Sequence, residues 1–233
     1  MGIIRHIPNS ITSMNLLSGC FATIFALQGN FKTAFLCIIA GAVFDFCDGL
    51  AARALKAYSP MGKELDSLAD MVTFGVAPAM IMFRFQAESN FLVYLPLLIA
   101  VFSGLRLAKF NIDTRQSENF IGLATPSCAL ICGSLIYASE IYPALYDFLT
   151  AKSYIVPMIS LVLCYLLICE IPMFSFKFKS LKWADNSARF SFLALAAILG
   201  IAVLVLDLNW SVFVLAVFTA YILVNVISVA FQK

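Results

Sequence analysis

The chain has 233 residues, 62% of them hydrophobic and 12% charged, with a mean hydropathy of +0.96 and a formal net charge of +2. A water-soluble domain carries about 25% charged residues and roughly 45–50% apolar ones, so this composition excludes an ordinary soluble fold and points to a bilayer as solvent. The net charge is too small to supply a basic surface for nucleic acid.

The first fifteen residues carry Arg5 and His6 but no small-residue cleavage site after the apolar run. They read as the entry to a first membrane helix rather than as a removed signal peptide. A spanning helix takes about 20 mainly apolar residues. Runs of that kind fall near 11–28, 33–55, 65–85, 91–110, 124–145, 153–172, 189–206 and 210–231. The sequence therefore predicts an all-α integral membrane protein: a polytopic bundle of about eight transmembrane helices forming a single membrane domain over residues 1–233. The seven cysteines sit mostly inside the apolar runs, are odd in number and include no pair of CxxC motifs. They are expected as small packing residues rather than a disulfide framework or a zinc site.

Eight spans put both termini on one side. That side receives Arg5, Arg53, Lys56, Lys63, Arg106, Lys109, Arg115, Lys177, Lys179, Lys182, Arg189 and Lys233, against only Lys32, Arg84 and Lys152 on the other. Cytoplasmic loops carry the Lys/Arg excess, so both termini are expected in the cytoplasm. Lys177, Lys179 and Lys182 alternate with Phe176, Phe178 and Trp183, a pattern suited to anionic headgroups. Glu140, Glu170 and His6 are expected to be solvated positions near span ends.

Between the second and third spans the chain reads DFCDGLAARALKAYSPMGKELDSLAD, residues 45–70, and places Asp45, Asp48, Asp66 and Asp70 at the ends of two apolar helices. An ionisable residue at membrane depth costs at least about 2.5–3.5 kcal/mol and is functional by default. At about 100° per residue, Asp45, Asp48 and Ala52 share one arc of the first helix, and Asp66 and Asp70 stack on one face of the next. A connection of some ten residues makes the two helices antiparallel neighbours, so all four carboxylates are expected to converge. Acids this close repel one another unless protonated, paired or bound to a cation. Oxygen-only ligation suits Mg²⁺ or Mn²⁺. Gly49, Ala51 and Ala52 leave room beside the acids, Gly62 is expected to offer free helix N–H groups to a phosphate, and Arg53 adds a fork-shaped cation. Acids, cation and clearance together describe a nucleotide-diphosphate site. The competing readings are ordinary helix-end charges, a structural scaffold and a divalent-cation transporter. The first two give no reason to gather four acids, and the last no reason for Gly49, Arg53 and Gly62 at these spacings.

Asp45-x2-Asp48-Gly49-x2-Ala52-Arg53-x8-Gly62-x3-Asp66-x3-Asp70 resembles the signature of the CDP-alcohol phosphatidyltransferases at every position. The Pro8-Asn9 and Thr12 stretch is similar to that family as well. The resemblance implies a catalytic core over about 1–206. It implies that Asp45, Asp48, Asp66 and Asp70 hold two divalent cations over a CDP pyrophosphate, that Gly49, Ala52, Arg53 and Gly62 line the nucleotide and phosphates, and that Asp70 is also the general base. It further implies CDP-diacylglycerol as donor lipid and a homodimer in the cell membrane with the site facing the cytoplasm.

Ser103-Gly104-Leu105-Arg106-Leu107-Ala108-Lys109-Phe110-Asn111 and Gly122-Leu123-Ala124-Thr125-Pro126 resemble segments of the phosphatidylserine synthase branch. The chain departs from that branch at Lys109, where Arg is more usual, and at Ala124, where Pro is common. The acceptor implied is L-serine, with Arg106, Lys109 and Asn111 expected around its carboxylate. Glycerol-3-phosphate and inositol are the rival acceptors.

Overall fold

The computed structural model describes residues 6–86, 90–113, 120–175 and 183–231. Arg5, Arg115, Lys177, Lys179, Lys182 and Lys233, used above for orientation, lie outside these residues, as does the lysine–aromatic pattern over 176–182.

Helix α1 (Ile7–Leu27) begins with Pro8 at its first turn, where a missing N–H costs nothing. It ends at Gly29, whose φ of +77° lets the Gly29 and Asn30 N–H groups cap the carbonyls of Ala26 and Phe25. The Asn30 side chain then accepts from the Thr33 N–H and starts α2 (Phe31–Ala54). Lys56 ends α2 in the same left-handed geometry (φ 49°), with the Ala57 N–H on the Ala52 carbonyl. A continuous helical rod follows: α3 (Pro60–Asp70), a π-helical turn (Met71–Val76) and α4 (Ala77–Phe85). Pro78 lacks the N–H that an α-helix would direct at Phe74, and the wide turn, in which the Ala77 N–H reaches the Val72 carbonyl, absorbs that break. A 3-10 stretch (Phe91–Leu97) leads into α5 (Leu98–Ile112).

Helix α6 (Thr125–Ile141) is the centre of the bundle, with twelve of its seventeen residues buried. Gly133 lies directly against the Phe35 ring of α2, which stacks on Trp210 at 5.2 Å. Among the described residues, six helical segments are long and apolar enough to cross a membrane: Ile7–Leu27, Phe31–Ala54, Pro60–Phe85, Phe91–Ile112, Asn186–Val205 and Trp210–Val229. The fifth expected run departs from a straight span. Pro143 ends α6 at Tyr142, and the chain turns by 116° into α7 (Pro143–Thr150). The sixth run forms α8 (Ile155–Ile168), whose 14 residues reach only about 21 Å. The last two helices are α9 (Trp183–Val205) and α10 (Trp210–Phe231). All eight expected apolar runs are thus helical. One is bent and one is short.

A two-residue antiparallel pairing was not expected from the sequence. Here β1 (Phe120–Ile121) meets β2 (Pro172–Met173) beyond the C-terminal end of α8. Gly122 (φ +76°) makes it possible: its N–H donates to the Ile171 carbonyl and the Leu123 N–H to the Leu166 carbonyl, so orphan carbonyls after α8 are satisfied. A Cβ at Gly122 would meet the Cys169 and Leu167 carbonyl oxygens at 2.9 Å.

Helices without a hydrophobic drive between them associate through small residues. Gly19 of α1 and Gly41 of α2 both face Thr73 on the π turn, and a Cβ at Gly19 would lie 2.7 Å from the Thr73 Cα. That neighbour is backbone and cannot swing away. Gly19→Val is therefore expected to cost about 1–3 kcal/mol through overpacking, read as a lowered thermal midpoint of the detergent-solubilised protein. Leu223→Ala, on an exposed face of α10, is expected to leave the midpoint within a degree or two.

Candidate active site

The acids gather where α2 ends and α3 begins. Asp45, Asp48 and Asp66 each offer a carboxylate oxygen, and the three oxygens lie within 4.8 Å of one another. Asp48 is buried, and its Oδ2 has no hydrogen-bond partner. Buried acceptors without partners are rare. A tight all-oxygen cluster with one orphaned buried oxygen fits a hard divalent cation such as Mg²⁺ or Mn²⁺.

Asp70 stands apart from this trio. It lies one turn further along α3, within electrostatic range of the other three acids. It is held by Asn15, whose Nδ2 donates to Asp70 Oδ1 at 3.2 Å. Asn15 is fully buried, and its own carbonyl accepts from the Thr73 hydroxyl at 2.9 Å. A polar residue inside the first apolar run was the available signal for Asn15, and sequence reasoning passed over it.

A cavity of about 210 Å³ opens beside the acids, between the start of α1, the end of α2 and the start of α3. Asp48, Asp66, Gly49, Ala52 and Gly62 line it, together with Asn9 and Thr12 of α1. A Cβ at Gly49 would approach the Arg53 guanidinium at 3.5 Å, so Arg53 lies against the small-residue face of its own helix while its side chain stays exposed. The role expected for Gly62 changes. Its N–H is not free for a phosphate, because the Ser59 hydroxyl at the helix N-cap accepts it at 2.9 Å. Gly62 contributes clearance instead: a side chain there would meet Asn9 Oδ1 at 2.9 Å and Ser59 Oγ at 3.0 Å.

On the other flank of Asp70, α5 brings Arg106 in. It is only 7% exposed, its Nε has no hydrogen-bond partner, and it lies within electrostatic range of Asp70. The rings of Phe110 and Phe120 sit 5.7 and 5.8 Å from its guanidinium carbon. Lys109 and Asn111 are differently employed. Lys109 Nζ pairs with Glu170 at 3.2 Å on the surface, which gives Glu170 a partner that a purely solvated reading did not foresee. Asn111 donates to the Ser67 hydroxyl at 2.9 Å and ties the end of α5 to α3. Of the three residues expected around the acceptor, the structure brings only Arg106 to the acids.

The chain was also compared with known proteins. The model of the CDP-alcohol phosphatidyltransferase family matches residues 5–169. A CDP-diacylglycerol–serine O-phosphatidyltransferase of Bacillus subtilis is 42% identical over 126 residues, covering 52% of this chain and 70% of that protein. Proteins of the same name from Helicobacter pylori and Saccharomyces cerevisiae are 36% identical over 129 residues and 40% identical over 146. The chain spans only about half the length of those two, 54% and 52%. A family match over most of the chain decides for a transferase against the cation-transport reading of the acids. The chain belongs to the CDP-alcohol phosphatidyltransferase family.

Proposed function

We propose that this chain transfers the phosphatidyl group of CDP-diacylglycerol to the hydroxyl of L-serine, giving phosphatidylserine and CMP. The observation that carries the reading is the placement of Asp70 between a carboxylate cluster beside a cavity and a buried arginine with an unpartnered Nε. The names of the relatives support serine over glycerol-3-phosphate or inositol.

Asp45, Asp48, Asp66 and Asp70 would hold two divalent cations, which when bound neutralise charge on the pyrophosphate and on the displaced oxygens. The cavity at Gly49, Ala52 and Gly62 receives the nucleotide, and Arg53 guards its rim with a positive charge. Asp70, oriented by Asn15, takes the proton of the serine hydroxyl. The serine oxygen then bonds to the lipid-side phosphorus as the bond from that phosphorus to the CMP oxygen breaks. Arg106 receives the serine carboxylate through its planar fork of N–H groups, and Phe110 and Phe120 keep that fork from turning. Lys109 and Asn111 are proposed to support this wall from the α5 end rather than to touch serine.

The proposed setting is a cell membrane with the acids at its cytoplasmic face, the chain acting as one membrane domain (1–233) and as a homodimer. Lys63 Nζ reaches the Asn111 carbonyl at the acid end, and Arg84 Nε bonds the Leu27 carbonyl at the opposite end.

The test is CMP release from CDP-diacylglycerol by the purified chain, with serine, glycerol-3-phosphate and inositol offered separately. Release is expected with serine alone and is expected to stop with EDTA and return with added Mg²⁺ or Mn²⁺. Asp70→Asn is expected to lower kcat by about 10²–10⁴-fold, the range of a lost general base. Release with another alcohol would keep the chemistry and overturn the acceptor. Arg106→Lys keeps the charge but not the fork. It is expected to raise the KM for serine at least tenfold while the KM for CDP-diacylglycerol stays within twofold, measured in the same assay.

A further inference from the structure

The family match ends at Cys169, yet structure C-terminal to it reaches the Arg106 wall. We propose that helix α10, through Tyr221 and Asn225, holds the segment after β2 in place and thereby positions Arg106 for the acceptor. This rests on the assignment of Arg106 to the serine carboxylate. It makes Tyr221 and Asn225 positioning residues and extends the catalytic core past residue 206.

Both backbone groups of Phe174 are gripped by side chains of α10. Its N–H donates to Asn225 Oδ1 at 3.0 Å, and its carbonyl accepts from the Tyr221 hydroxyl at 2.8 Å. Asn225 is buried and fixed in turn, because its Nδ2 donates to the Tyr221 carbonyl at 2.7 Å. An asparagine buried on an apolar helix is costly unless its partners are supplied, and the partner here is the backbone of a non-helical strap. The Phe174 ring packs edge-on against Tyr221 at 5.1 Å.

From Phe174 the connection to Arg106 is short. The preceding residue, Met173, is fully buried and pairs across the two-residue ladder with Phe120. The Phe120 ring is one of the two that flank the Arg106 guanidinium. Tyr221 also lies within electrostatic range of that guanidinium. Two bonds from α10 fix Phe174, the ladder carries that position to Phe120, and Phe120 closes one face of the arginine. Tyr221, Asn225, Phe174, Met173 and Phe120 are not among the residues lining the cavity beside the acids, so releasing the clamp should disturb acceptor binding and leave the nucleotide side intact.

The experiment is steady-state CMP release by the full chain in detergent, varying serine and CDP-diacylglycerol independently. Tyr221→Phe keeps the ring and removes one hydrogen bond to Phe174; Asn225→Leu keeps the branched four-atom side-chain skeleton and removes the other, together with the bond to the Tyr221 carbonyl. A net hydrogen bond is worth about 1 kcal/mol, so each variant is expected to raise the KM for serine about five- to tenfold. The KM for CDP-diacylglycerol and kcat at saturating serine are expected within twofold of the unaltered chain, and Leu223→Ala on the same helix is expected to move nothing. Should Asn225→Leu fail to fold, Tyr221→Phe decides alone. An unchanged serine KM, or a parallel rise in both KM values, would overturn the proposal. An unaltered chain that releases no CMP with serine would instead overturn the assignment of function, and this inference with it.

Discussion

Gathering like charges at the edge of an apolar bundle is the constraint on which the rest of this structure depends. Asp45, Asp48 and Asp66 bring carboxylate oxygens within 4.8 Å of one another, and Asp70 lies one turn beyond. Each acid loses hydration there and each raises the cost of ionising its neighbours. Such a cluster persists only if the surrounding helices cannot spread apart to relieve it. Close packing has to supply that resistance, because a bilayer offers no hydrophobic drive between helices.

The packing that resists is built from small residues around the π turn. Gly19 and Gly41 let α1 and α2 approach Thr73 until backbone meets side chain, and Thr73 bonds the Asn15 carbonyl in the same contact. Asn15 then holds Asp70. The π turn begins at the residue after Asp70 and carries Thr73 to the Asn15 carbonyl, so the break at Pro78 reaches Asp70 through Thr73 and Asn15. Backbone irregularity, a glycine contact and one buried amide therefore act on a single carboxylate.

How much of this was legible in the sequence follows from the range of each interaction. The apolar runs were legible because a spanning helix must satisfy its own backbone over about 20 residues, and all eight runs are helical. The acids were legible because a charge in such a run needs a reason. What could not be read depends on contacts between distant segments. Asn15 looks like one polar residue in an apolar run until Asp70, 55 residues later, is placed beside it. Gly62 looked like an open helix start, yet the neighbouring Ser59 closes it. Lys109 was expected beside Arg106 in the acceptor site, but Glu170 draws it to the surface. The bend at Pro143 was written in the sequence, since a proline ends the preceding helix. The length of the apolar run concealed it.

On the proposed function, the division of the site into two flanks has a physical origin in the substrates. A nucleotide needs clearance and cations at the water-facing edge, which the ends of α2 and α3 provide with glycines and acids. A small zwitterionic acceptor needs a fixed counter-charge with little freedom, because its few atoms return little binding energy for ordering a loose side chain. Arg106 is already ordered: buried, flanked by Phe110 and Phe120, and walled by a strap that two hydrogen bonds tie to α10. The nucleotide flank is made by residues adjacent in sequence and so carries a compact signature. The proposed acceptor flank is assembled from α5, the β1–β2 ladder and α10, which are far apart in the chain. On that proposal, specificity for the acceptor changes through the distant pieces while the signature stays the same.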